Sequence, residues 1–311
     1  MKKVLLIAGG GTLGTYTAEE CLRLGYKVDV VCLEDKVSNN DNLKFYKENV
    51  NLEYLQKLFK EKHYDGIVNF LHYKSGEEYE PYFKLLTENT DHFIFLSSYR
   101  VYSNVENPIN ENSPHLLDVI KDDKFFLENE DYGLAKSKCE KYMKNSPYPK
   151  KWTVVRPVIS FSNRRFDLIL TTGRQVIDAA KENKVIELPL QAKELTAGLE
   201  WSGNSGKLIA NLLFKEECKG EAYTISTGQN LKWKEVAGYY TEIVGTKFNW
   251  VPYEPTNPKW GTWNWKYDRA YDRTIDPSKV LKATGLKKED FKSIKEGIKI
   301  ELSKLQEEDE K

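Results

Sequence analysis

Short apolar runs alternate with amphipathic segments through the first half of the chain, and this alternation restricts the fold more than any other feature. Val4–Ala8, Val28–Leu33, Gly66–Leu71, Phe93–Ser97 and Thr153–Arg156 read as buried strands. Between them, Thr15–Leu24, Leu52–Glu61, Tyr79–Thr87 and Leu134–Lys144 have helical spacing. Strands rich in Val, Ile and Leu must be covered on both faces, which implies a parallel sheet with right-handed helical crossovers. The expectation is an α/β fold, a Rossmann-type doubly wound parallel sheet, with ligands bound outside the carboxyl ends of the strands. After Pro157 the pattern loosens, and 160–165, 229–233 and 252–273 read as irregular connections. A Rossmann domain over 1–158, to which later segments return, and a smaller, mainly substrate-binding C-terminal lobe over 159–311 are expected.

Composition narrows the partners. The 47 basic and 47 acidic residues of the 311 cancel, so the chain lacks the overall charge of a nucleic-acid or anionic-membrane binder. A small-molecule partner is expected, with room for a homodimer. Cys21, Cys32, Cys139 and Cys218 show neither CxxC nor Cys/His ligand spacing, which predicts no metal and no disulfide framework and suits a reducing cytoplasm. The apolar run after Met1-Lys2-Lys3 is too short for a signal-peptide core. No segment approaches the ~18 apolar residues of a membrane helix.

Gly9-Gly10-Gly11-Thr12-Leu13-Gly14 follows a predicted strand and opens a helix, the context that a GxGxxG phosphate turn requires. Gly9, Gly11 and Gly14 allow a tight turn and close approach of a pyrophosphate. Thr12 and Leu13 begin a helix whose free N–H groups favour an anion. A dinucleotide fold also uses an acid at the end of its second strand, about 20 residues on, for the adenosine ribose. Glu34 and Asp35 are the candidates. Lys36 is near but no Arg lies at that strand end to receive a 2′-phosphate, so NAD is expected over NADP.

Tyr132 and Lys136 stand four residues apart at the start of a helical segment, on one face. An ammonium beside a phenol favours the phenolate and lowers its pKa from ~10, as a general acid/base acting on a hydroxyl needs. Ser98 ends a strand where the site of such a fold opens, and can serve a substrate oxygen or Tyr132. A strand-end Ser more often satisfies a loop backbone group.

Together, the glycine turn, Asp65–Leu71, Ser97-Ser98-Tyr99-Arg100-Val101-Tyr102, Tyr132 with Lys136, and Val155-Arg156-Pro157 resemble the extended short-chain dehydrogenase/reductase superfamily, its NAD-dependent epimerases and dehydratases. Asp276-Pro277-Ser278-Lys279, Leu286 and Gly297 resemble its C-terminal pattern. The resemblance implies a Ser98–Tyr132–Lys136 triad. Tyr132 is its acid/base, Lys136 tunes the phenol and holds the nicotinamide ribose, and Ser98 polarises the substrate oxygen. It also implies that Pro157 and Val158 lie beside the nicotinamide, that Phe70 and Leu71 line the cofactor channel, and that nucleotide sugars are the commonest substrates.

The chain departs from the family in several places. Ile7 and Ala8 stand where the usual turn has Thr and Gly, and Cys32 takes the acidic ribose position, so Glu34 must substitute or no acid does. His72 and Tyr73 replace small residues, and Glu200-Trp201-Ser202-Gly203-Asn204-Ser205 replaces a His-Val-Asp-Asp-Val-Ala pattern. These mark an outlying member and keep a second class open, a non-catalytic or RNA-binding relative. The intact triad and neutral charge argue against that class. His72 and His92 are candidate proton relays, although a lone His is usually packed and hydrogen-bonded. The aromatic stretch of Trp250, Tyr253, Trp260, Trp263, Trp265, Tyr267 and Tyr271 is expected to mix core packing with contact to a sugar or base.

Overall fold

The structure, a computed structural model, describes residues 1–128, 132–256, 260 and 264–310. β1 (Lys3–Ile7), β2 (Lys27–Cys32), β3 (Leu43–Lys47), β4 (Gly66–Asn69), β5 (His92–Leu96), β6 (Trp152–Pro157) and β10 (Ala222–Ile225) form one parallel sheet, ordered β10-β6-β5-β4-β1-β2-β3. The chain runs outward from β1 to β3, then crosses back to β4, so the order reverses between β1 and β4. Their carboxyl ends are in register, Ile7 opposite Asn69. A ligand crevice opens at this reversal.

Alternate residues of β1 enter opposite faces, and both faces are buried. Val4 and Leu6 join a core formed with α1 (Thr12–Arg23) and with Leu208, Ile209 and Val280. Leu5 and Ile7 join a second core beneath α2 (Leu52–Glu61), α3 (Gly76–Asn89) and, past the short helices α4 (Leu116–Val119) and α5 (Lys124–Glu128), α6 (Tyr132–Asn145). This double burial is why the strands read as continuous apolar runs. β3 was not expected from the pattern. Leu43-Lys44-Phe45-Tyr46-Lys47 is a half-exposed edge strand whose lysines interrupt the apolar signal.

Beyond β6, a third core gathers Phe161, Val176, Leu199, Trp233, Tyr240 and Ile298 together with Tyr99, Val101, Tyr102 and Ile109 from the first half. It is built from β7 (Ile159–Phe161), α7 (Gln175–Lys181), β8 (Val185–Pro189), β9 (Leu199–Trp201), α9 (Trp233–Val244), β11 (Lys247–Val251) and the C-terminal helix Ile294–Asp309. Residues from the second half also return to the main sheet. α8 (Ser202–Ala210) packs on α1, and β10 pairs with β6. The stretches read as irregular are partly ordered: β7 takes in Ser160 and Phe161, Trp233 opens α9, and Trp265–Arg269 forms one π-helical turn.

Candidate active site

A cleft of about 620 Å³ lies at the carboxyl ends of β1, β4, β5 and β6. Gly11, Thr12, Leu13 and Gly14 form its wall at the start of α1, Phe70 and Val158 flank it, and Ser98 and Tyr132 stand deeper along it. One concave space thus collects most of the residues singled out from the sequence, Pro157 among them.

The glycines do different jobs. Gly14 packs against the Gly9 backbone, where any Cβ would collide with the Gly9 carbonyl. Gly9 lies beneath the turn, with a Cβ placed 2.7 Å from that of Leu6, and does not line the cleft. Gly11 is the N-cap of α1, has open space around its Cα, and offers no side chain to the helix N–H groups. No acid occupies the first turn of α1. Those N–H groups and the positive end of the helix dipole suit an anion. Ala8, at the glycine position of the usual turn, takes φ 55° and lines the cleft, and Ile169 on the far wall takes the same φ.

At the end of β2, Cys32 is buried and Asp35 points away, 3.2 Å from Lys47. Glu34 reaches back over Gly10, whose added Cβ would strike its carboxylate. Of the two candidate acids, Glu34 is the one at the turn. The structure corrects the expectation that no Arg reaches this end. Arg164, 130 positions later, places Nη1 3.8 Å from Glu34 Oε1 and donates to the Gly10 carbonyl at 3.3 Å. Lys36 Nζ donates to the same carbonyl at 2.6 Å. Only folding reveals Arg164, because its loop is remote in sequence.

Tyr132 opens α6. Its ring stacks on His72 with centroids 5.0 Å apart and an interplanar angle of 28°, and the Arg100 guanidinium carbon lies 6.0 Å from the ring centroid. Lys136, one turn on, is buried, with Nζ 5.5 Å from that centroid. Its ammonium is held by backbone, donating to the Leu96 carbonyl at 2.6 Å and the Leu71 carbonyl at 3.2 Å. Leu71 therefore meets Lys136 through its carbonyl and does not line the cleft. Burial pushes the Lys136 pKa down to about 8. Burial also raises the Tyr132 phenol, against the pull of Arg100 and Arg165. Both arginines favour the phenolate, and sequence spacing did not reveal them as neighbours of Tyr132.

Ser98 accepts the Arg100 amide at 3.2 Å, capping the turn Tyr99–Val101, and among the described residues no hydrogen bond joins it to Tyr132. Behind it, a buried network fixes the strand ends against α6. Glu140 receives Arg156 Nε at 3.0 Å, Arg156 Nη2 at 2.6 Å and the Ser97 hydroxyl at 2.5 Å, and Arg156 Nη1 donates to the Tyr102 oxygen at 2.8 Å. Burial alone would raise the Glu140 pKa, but Arg156 outweighs it and holds the carboxyl below the usual range. Glu140 lies two turns beyond Tyr132, so this ion pair sets the height of α6 over the cleft.

His92 is remote from the cleft lining. It sits between Thr153 Oγ1 (2.8 Å) and the Phe214 amide (2.9 Å), and burial lowers its pKa to about 4, a neutral packed histidine. In the aromatic stretch, Tyr253 stacks on Trp260 (5.5 Å) and Trp265 (4.5 Å), and Tyr267 is buried. Trp263 lies outside the described residues.

No family model and no curated protein matches the sequence. Solved structures do match along its whole length. The epimerase Mth375 of Methanothermobacter thermautotrophicus superposes with a TM-score of 0.76 at 15% identity, covering 99% of this chain and 93% of its own. The dTDP-glucose 4,6-dehydratase of Bacillus anthracis, solved with NAD, gives 0.74 at 16% identity, covering 100% and 98%. The chain has the fold of these enzymes. UDP-glucuronic acid 4-epimerase of Bacillus cereus, solved with UDP-glucuronic acid and NAD, gives 0.69 at 17% identity, covering 98% and 99%. The doubly wound sheet and the fold implied by the sequence resemblance are thereby borne out. Among the described residues, no helix is long and apolar enough to cross a membrane.

Proposed function

We propose that the protein is an NAD-dependent oxidoreductase of the short-chain dehydrogenase type, acting at a hydroxyl or carbonyl carbon as an epimerase, dehydratase or reductase. One observation carries this reading: Tyr132 and Ser98 share a single cleft with an uncapped, acid-free helix N-terminus behind a glycine turn.

The residues present fit a dinucleotide. Gly11 leaves the start of α1 open to a pyrophosphate, Glu34 stands where ribose hydroxyls need an acceptor, and Phe70, Pro157 and Val158 give an apolar flank for a flat ring. Bound there, the cofactor supplies a hydride acceptor or donor. The protein's own part is the proton. Tyr132 takes a proton from the substrate hydroxyl or returns it, Ser98 hydrogen-bonds the same oxygen, and the charge of Lys136 lies close beneath for the ribose and the developing phenolate. The neighbours solved with NAD and with a nucleotide sugar support NAD as the cofactor and a sugar derivative as the substrate.

Tyr132→Phe keeps the ring and its stack on His72 while removing the ionisable oxygen. Turnover should fall by ~100-fold or more with NAD affinity nearly unchanged. Wild-type turnover in this variant, or failure of the wild-type protein to bind NAD in calorimetry, refutes the reading.

A further inference from the structure

Arg165 is half-exposed and lines the same cleft as Tyr132. One edge of its guanidinium is taken: Nε lies 2.5 Å from Asp167 Oδ2 and Nη2 3.0 Å from Oδ1. Asp167 is fully buried behind it and also faces Arg269 Nη2 at 3.9 Å, so one carboxylate serves two guanidiniums. A guanidinium presents five N–H donors in a plane. Asp167 accepts one of them, from Nη2, and ion-pairs with Nε, which holds that plane from behind, and Arg165 lines the cleft. Such a fork, held rigid from behind, matches a carboxylate or phosphate better than a neutral hydroxyl.

The turn that carries Arg165 also carries Arg164, and the two leave it in different directions. Arg165 closes a tight turn with Ser162, whose Oγ lies 3.1 Å from Thr12 Oγ1. Arg164 leaves that turn toward Gly10, whereas Arg165 leaves it toward Tyr132. Of these two neighbours only Arg165 lines the cleft. The turn is braced by Glu301, which accepts the Asn163 amide at 2.6 Å and the Trp201 indole N–H at 2.7 Å.

We propose that Arg165 is an oxyanion receptor, and that the substrate carries a carboxylate or phosphate near the carbon served by Tyr132. The substrate assignment rests on the oxidoreductase reading, while the anion site itself does not.

The test titrates the full chain with oxalate and with inorganic phosphate by calorimetry. Saturable binding to the wild type is expected, weakened at least ~tenfold (~1.4 kcal/mol) in Arg165→Gln. Arg174→Gln, which alters a surface arginine paired with Asp309, should bind like the wild type. The tighter of the two anions identifies the substrate group as carboxylate or phosphate. Circular dichroism checks the fold of each variant. If Arg165→Gln does not fold, Arg165→Lys keeps the charge and loses the fork, and should bind more weakly than the wild type. The proposal is overturned by absence of saturable binding to the wild type, by wild-type affinity in the folded Arg165 variant, or by competition between oxalate and NAD, which would move the anion to the dinucleotide half. Failure of NAD to bind, with oxalate binding retained and dependent on Arg165, would sink the oxidoreductase reading alone.

Discussion

The ammonium of Lys136 donates to the Leu96 carbonyl at 2.6 Å, tying the first turn of α6 to the end of β5. Burial lowers its pKa to about 8, whereas in the unfolded chain a lysine keeps its proton to about 10.4. Between these values the unfolded state binds more protons, so this group's contribution to stability rises with pH, by on the order of 3 kcal/mol in full. Urea midpoints measured from pH 7.5 to 10 should rise more in the wild type than in Lys136→Met. Parallel curves would mean that the amine is not held in this way.

Gly11→Asp and Gly14→Ala should fail differently. A side chain at Gly11 meets open space, so the aspartate variant should fold yet lose at least ~tenfold in NAD affinity, because it puts a carboxylate where an anion belongs. At Gly14 a methyl group collides with the Gly9 backbone, which should cost roughly 1–3 kcal/mol of stability. Calorimetric titration and denaturant unfolding of both variants separate the two outcomes.

Glu34 with Lys36 and Arg164 makes a mixed-charge rim over Gly10. With the carboxylate present, NAD should bind about tenfold tighter than NADP through repulsion of the 2′-phosphate. Glu34→Gln leaves the two cations in place and should shrink or reverse that ratio. An unchanged ratio would show that Glu34 does not face the ribose.

The phenol of Tyr132 is pushed up by burial and pulled down by Arg100 and Arg165. In the oxidising direction, activity should therefore rise with pH as the phenol ionises. Arg165→Gln, by removing a cation that favours phenolate, should move the midpoint of that rise to higher pH. A pH–rate profile of the two proteins checks the sign, and a shift to lower pH contradicts it.

The buried Glu140–Arg156 pair should be costly to break from one side. Glu140→Gln leaves a guanidinium in the core facing a neutral amide, and a loss of roughly 3–5 kcal/mol is expected from chemical unfolding.

The parallel doubly wound sheet and the glycine turn were legible because each is encoded locally, in apolar runs and in glycine, and the shared cleft of Ser98 and Tyr132 was implied by the resemblance. β3 was not, since an edge strand with exposed lysines carries no buried pattern. Arg164 and Arg165 were hidden because they arrive from a turn more than 120 positions after the glycines. The partners of Lys136 were hidden as well, because backbone carbonyls leave no mark on a sequence. Ser98 did follow the commoner use of a strand-end hydroxyl, as a cap, while still lining the cleft.

Ala8 holds φ 55° without being glycine, a conformation that costs an L-residue about 1–2 kcal/mol. The cleft is therefore built on a spring compressed by the rest of the fold. A population of variants selected only for heat resistance should accumulate glycine at position 8, and what that relaxation does to turnover will show whether the tension is idle or in use.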